Sequence, residues 1–235
     1  MSIRSVDTGY VHELLRMVAL LVDVTAACFY FVDKANRPHG HILHNLDYRA
    51  LSDYVNAYQA LDPFHPSRLA SYKRSIATLE DISPVSALTS QAYFRDFMHG
   101  QQIEHEAEVL FRDQGVLVAG ISLLRSGKRG PFLKPELTSL SKVHAFLEYS
   151  LVKLYLPHVH ADQARLENDF GFSERQIAIV RMLRNGASND EIVRSLSIRL
   201  PTVKTHLQKI YAKVGVSSRT ELVAKIYLSD RQAKE

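Results

Sequence analysis

Lys204, Thr205 and Gln208 lie on the polar side of a segment whose apolar residues Val203, Leu207, Ile210 and Val214 recur at helical spacing. An ammonium, a hydroxyl and a carboxamide on one helical face are groups that read base edges in a DNA major groove. Lys209, Lys213 and Arg219 add long cations that suit phosphate oxygens. Ser188 and Asn189 open a neighbouring helix, whose first N–H groups suit the same anions. Thr202 belongs to the first turn of the Lys204 segment and completes the candidate DNA-binding set. Taken alone, such a helix also reads as a surface helix with solvated lysines, so its neighbours decide.

Those neighbours are four short helices with start and stop signals in order. Ser173 and Gln176 form a capping box before Ile177, Val180 and Leu183, and Gly186 ends that helix. Ser188 and Glu191 form a second box before Ile192 and Leu196. Gly215 ends the Lys204 helix, and Ser218 and Glu221 open a last one carrying Leu222, Val223 and Ile226.

The quartet resembles the LuxR-type helix-turn-helix domain of bacterial transcription regulators. The matching residues are Gly186, Ser188-Asn189, Glu191-Ile192, the run 202–207, Ile210-Tyr211, Lys213 and the run 215–222, within residues 168–230. The resemblance implies double-stranded DNA as partner and no enzymatic activity. Gln176 stands where the family usually has an acid, and Arg199 where it has a Ser or Thr N-cap. Leu200-Pro201 replaces a more polar pair, and Lys209 an Asn. Proline in a first helical turn is tolerated, because those N–H groups have no intrahelical acceptor.

Charge follows the same division. Residues 168–235 hold 12 Lys+Arg against 7 Asp+Glu, a net of +5, while the remainder is close to neutral at −1. Positive charge gathered on one part is what counterion-releasing phosphate contacts need. The length of 235 residues suits two domains: a sensor and dimerisation domain over 1–160, a linker over 161–167 and the DNA-binding domain over 168–235. The lone Cys28 rules out an intramolecular disulfide and points to the cytoplasm. No signal peptide is read at the N-terminus, and no apolar run reaches the ~18 residues of a membrane span, so no membrane partner is expected.

In the first 160 residues the pattern predicts helix through Val11–Val22, strands at Ala26–Asp33 and His41–His44, and helix from Tyr48 to Leu61. A loop-rich stretch over 64–89, a short helix from Gln91 to Met98, and strands Glu104–Arg112 and Val116–Arg125 follow. A long helix then runs from Pro135 until Pro157 stops it. The expected class is α+β, an antiparallel sheet with flanking helices, followed by an all-α four-helix domain. The N-terminal order resembles GAF- and PAS-like sensors and the autoinducer-binding domain of LuxR proteins.

Tyr54, Tyr58 and Asp62-Pro63 are similar to the Tyr/Asp-Pro segment of autoinducer-binding domains, though this chain has no Trp where those domains place theirs around the ligand. With Phe94 they form the candidate ligand-binding set, in a mostly apolar cavity between sheet and helices. The function expected is a DNA-binding regulator whose N-terminal domain senses a small molecule. The alternatives are a receptor for an acyl-homoserine lactone, and a metal-binding or enzymatic sensor whose basic tail docks a protein. His39, His41 and His44 lack the spacing of a structural metal site, so no metal and no cofactor are expected. The loop 125–130 lacks the phosphate-cradle pattern and reads as a solvated hairpin end. The long helix is apolar on most sides, which predicts a homodimer. A contact with RNA polymerase completes the expected partners.

Overall fold

Alternation along the strands decides the N-terminal fold. In the computed structural model, which describes residues 9–82, 92–196 and 198–232, five strands form one antiparallel sheet. They are β1 (Ala26–Val32), β2 (Pro38–His44), β3 (Ile76–Thr78), β4 (His105–Asp113) and β5 (Val116–Arg125), in the order β2-β1-β5-β4-β3. The β4–β5 hairpin turns on Gln114 and Gly115, both at positive φ (49° and 85°), as a tight two-residue loop requires.

Successive residues of a strand face opposite sides of the sheet. On one side, Phe111 stacks on His144 at 5.5 Å, and the imidazole Nε2 lies 2.8 Å from the Leu110 carbonyl. His144 belongs to the long helix Lys134–Tyr149, which packs with the first helix, Gly9–Leu21; Val11, Leu15, Leu140 and Leu147 of these helices are buried. Each such burial contributes roughly 1.5–3 kcal/mol. On the other side lie Phe64, Leu69, Tyr93 and Met98, packed with Ala26, Leu110 and Leu124.

Four expectations are corrected. The stretch 64–89, read as loop, contains the helix Pro66–Leu69, the edge strand β3 and the helix Leu79–Ile82, with residues 83–91 outside those described. Three residues are too few to show alternation, and β3 exists through its pairing with β4, Ile76 opposite Val109. Strand β2 begins at Pro38 rather than His41, on the sheet edge where a missing N–H is tolerated. Pro157 does not end a helix: it lies in the first turn of the helix Leu156–Phe170, which continues directly from a wide turn where the regular hydrogen-bond ladder is already interrupted. The wide helical turn Ser150–Tyr155 precedes it. Arg125, expected in a solvated hairpin end, is buried, paired with Glu136 and 4.2 Å over the Phe132 ring.

The chain divides between Leu154 and Tyr155 into two units. In the C-terminal unit the four expected helices are Glu174–Arg184, Asn189–Leu196, Leu200–Val214 and Arg219–Gln232. Their core is Ile177, Val180, Leu183, Ile192, Val203, Ile210, Leu222 and Ile226. Residues 161–167, expected as a linker, lie within the helix Leu156–Phe170, whose Leu166 joins this core.

Candidate nucleic-acid interface and sensor cavity

The helix Leu200–Val214 buries Val203, Leu207, Ile210 and Val214 and exposes Thr202, Lys204, Thr205, Gln208 and Lys209. Its N-cap, Arg199, makes no side-chain cap bond, and Pro201 in the first turn supplies the stop to the preceding chain instead. Gly215 closes the helix in the left-handed conformation, φ 68°. The helix packs across Asn189–Leu196, which Ser188 and Glu191 cap reciprocally at 2.6 and 3.3 Å. Thr205 donates its hydroxyl hydrogen to the Pro201 carbonyl at 3.0 Å, so toward DNA it presents acceptor lone pairs.

Two of the expected phosphate contacts are tied inside the unit. The Lys213 ammonium is held by the Gly171 carbonyl and by Gln176 Oε1 at 2.8 Å. Arg219 donates to the Leu183 carbonyl at 3.2 Å. Gln176 is thus joined to both its own helix start, through Ser173, and the helix that carries Gln208. Lys209 is exposed, as are Lys204 and Gln208.

In the N-terminal unit, β1, β2, β4, β5, the 48–61 region and the Tyr93–Met98 turn line a partly open cavity of about 60 Å³. Its walls are apolar and aromatic, with Cys28, Tyr30, Leu51, Tyr54, Phe64, Tyr93, Phe97, Met98 and Leu124, and they carry three carboxyls, Asp62, Glu106 and Glu108. Tyr54 donates to Asp62 Oδ2 at 2.7 Å, and Asp62 Oδ1 accepts the Phe64 N–H at 2.7 Å. Tyr30 donates to Glu108 Oε2 at 2.8 Å. The Tyr93 hydroxyl lies 3.4 and 3.3 Å from the two oxygens of Glu106. Gly120 stands opposite Tyr30 in the β1–β5 register, and a Cβ there would overlap the tyrosine hydroxyl.

Burial dominates the electrostatics of this site. It pushes Asp62 up to about 6 and Glu108 up to about 8, and raises Glu106 well above the carboxylate range, with the neighbouring carboxylates adding to the shift of Glu106. The same burial lowers His41 to about 4, so the imidazole on this wall is neutral. Cys28 is pushed up, which keeps it a thiol.

Of the candidate ligand-binding residues, Tyr54 and Asp62 reach the cavity wall. Tyr58 and Phe94 do not: Tyr58 stacks on Phe97 at 5.0 Å, and Phe94 is packed in the surrounding core. Tyr93 and Phe97, four residues apart on one face of their turn, stand where Phe94 was expected. Glu106 and Glu108 escaped sequence reasoning, because alternating Glu along a strand reads as a solvated face. The signal present was two acids inside a segment otherwise fit for the core. His39, His41 and His44 do not converge. His39 lies along Phe31 and His41 near Tyr30, and among the described residues no group of three or more His, Cys, Asp or Glu is arranged to hold a metal.

Comparison with known proteins bears on both units. The family model for bacterial regulatory proteins of the luxR family matches residues 171–226. The monoamine regulon transcriptional regulator of Klebsiella aerogenes is 33% identical over 226 residues, which span 96% of this chain and 94% of that protein. The CsgBAC operon transcriptional regulatory protein of Escherichia coli K12 is 48% identical over 52 residues, 22% of this chain and 24% of its own. Among solved structures, Escherichia coli SdiA is 18% identical with a TM-score of 0.38, over 92% of this chain and 87% of that one, a distance at which nothing about ligands carries over. The full-length match, together with four capped helices and an exposed Lys204–Gln208 face, places this chain in the LuxR family of bacterial transcriptional regulators.

Proposed function

We propose that the chain binds double-stranded DNA as a homodimer through the helix Leu200–Val214, and that a small molecule in the N-terminal cavity sets that affinity. The observation that carries the reading is the division of this helix into a fully buried apolar stripe and an exposed face of Lys204, Thr205 and Gln208. Lys204, Thr205 and Gln208 face base edges. Thr202, Lys209 and the helix start at Ser188-Asn189 meet the backbone. Lys213 and Arg219 position these elements from within.

A second copy is the partner suited to Phe146, Tyr149 and Leu154, which are 68%, 58% and 55% exposed along Lys134–Tyr155. Paired half-sites then follow from paired domains. A DNA-bound regulator of a bacterium works in the cytoplasm. Among the described residues no helix is long and apolar enough to cross a membrane. We assign the chain no reaction. An acyl-homoserine lactone is the less suited effector, because its acyl chain would lie against Glu106 and Glu108.

Fluorescence anisotropy of the full chain on promoter fragments, at two salt concentrations, tests the reading. The Klebsiella aerogenes relative is by name a regulator of a monoamine regulon, so promoters of amine-metabolism genes are the first fragments to use. Tight binding that weakens steeply with salt supports it. Affinity equally low on every fragment at both concentrations refutes it.

A further inference from the structure

We propose that the N-terminal cavity takes a small primary ammonium compound as its ligand, an assignment that rests on reading this cavity as the sensor site. Asp62, Glu106 and Glu108 are 5%, 4% and 1% exposed, and among the described residues no Lys or Arg lines the cavity with them. The charged group facing this cluster from outside is Arg68, whose guanidinium goes to the Ala60 carbonyl at 3.1 Å. Three acids in one apolar enclosure are costly as anions unless a cation joins them.

The hydrogen-bond inventory points the same way. Tyr30, Tyr54 and Tyr93 each bring one hydroxyl hydrogen to one carboxyl. Tyr93 has a single hydrogen for two Glu106 oxygens at 3.3 and 3.4 Å, so an ionised Glu106 keeps acceptor capacity that the described residues leave unfilled. A primary ammonium brings three N–H donors and a positive charge. Tyr54, Tyr93 and Phe97 line the same wall, with the Phe97 ring 5.9 and 5.6 Å from the other two, and aromatic rings attract the same charge. A bare metal ion fits less well, since no set of three or more ligating side chains converges among the described residues. An anionic ligand would add to the negative charge. A cavity of about 60 Å³ holds a few heavy atoms, which restricts the part enclosed to a short ammonium chain.

Binding draws protons off the cluster, because the cation favours the ionised carboxylates. The signature is proton release on binding, seen by calorimetry as a heat that changes with the buffer's ionisation enthalpy.

The test is titration calorimetry on the full chain with propylammonium chloride, beside 1-propanol, tetramethylammonium chloride and octanoyl-homoserine lactone, on the parent, Glu106→Gln, Glu108→Gln and Tyr54→Phe. Propylammonium should bind saturably with proton release. Each Gln variant should weaken it by at least about tenfold, the scale of losing a buried charge partner. The Gln variants keep shape and cannot ionise, so their thermal stability should match the parent's at low pH and exceed it as pH rises. Tetramethylammonium, with no N–H donor, and 1-propanol, with no charge, should bind far more weakly. Equal binding of either one, or unchanged affinity in both Gln variants, overturns the assignment. If 1-propanol or the lactone binds and Tyr54→Phe loses it while propylammonium fails, the cavity remains the sensor site and the ammonium assignment falls. If no probe binds, both readings fall.

Discussion

Tyr54 donates its hydroxyl hydrogen to Asp62 Oδ2 at 2.7 Å, which ties the middle of the helical region 48–61 to the turn that follows it. Asp62 in turn accepts from the Phe64 N–H, so one carboxyl organises the wall and the chain reversal together. Tyr54→Phe removes one buried hydrogen bond and should cost about 1 kcal/mol. Urea unfolding followed by circular dichroism measures it. A variant as stable as the parent would mean the bond contributes nothing.

The carboxyls of the cavity should make the protein less stable as pH rises. Burial raises Glu108 to about 8 in the folded chain, against about 4.3 when unfolded. The stability it contributes is complete below the unfolded value and is lost as pH climbs through the folded one. Glu108→Gln cannot ionise, so its stability relative to the parent should grow from pH 5 to pH 8 by on the order of 1–3 kcal/mol. Denaturant midpoints at the two pH values, without added amine, test this. A difference that stays constant contradicts it.

Asp162 shows the opposite behaviour. Burial raises its carboxyl, but Arg184, Arg181 and Arg165 outweigh that and leave it below the ordinary range. Arg184 Nη1 lies 2.8 Å away, with side chains 6% and 10% exposed. Asp162→Asn leaves three guanidiniums facing a neutral amide and should destabilise the C-terminal unit by roughly 3 kcal/mol at neutral pH. The deficit should shrink as pH falls through the lowered value, since the parent then loses the same charge. Calorimetric melts from pH 3 to 7 reveal both effects, and an unchanged melting temperature at pH 7 would sink the assignment.

Lys209 and Lys213 lie four residues apart and should behave differently. Lys209→Ala should weaken binding alike on all DNA sequences and make the salt slope shallower by about one. Lys213 is anchored to Gly171 and Gln176. Lys213→Ala should lower stability by about 1 kcal/mol with a smaller change in slope. Anisotropy titrations and melts on both variants separate the roles; equal slopes for the two variants would remove the distinction.

The C-terminal unit was legible in the sequence because its signals are local. Capping boxes at Ser173, Ser188 and Ser218, terminal glycines and a stripe at Val203, Leu207, Ile210 and Val214 each act within a few residues. The cavity was half legible. Tyr54 and Asp62 are eight residues apart and were found. Glu108 meets Tyr30 across the sheet and Glu106 meets Tyr93 of the turn packed on it, and nothing in a strand's own alternation says whether its polar side faces water or a cavity. Tyr58 and Phe94 were misplaced because the wide turns at Tyr54–Tyr58 and Tyr93–Met98 rotate side chains away from regular helical positions. Pro157 misled for a related reason: a proline that stops one helix and one that starts the next look alike in sequence.

The face of Lys204, Thr205 and Gln208 is proposed to read DNA sequence. Selection of bound duplexes from a random pool by the full chain, compared with Gln208→Ala, tests it most directly. The parent should enrich paired half-sites about 10 base pairs apart, or a multiple of that. The variant should show relaxed preference at one position of each half-site, at about 1–3 kcal/mol per contact. A parent that enriches no motif, or a variant that ranks every base as the parent does, would contradict it.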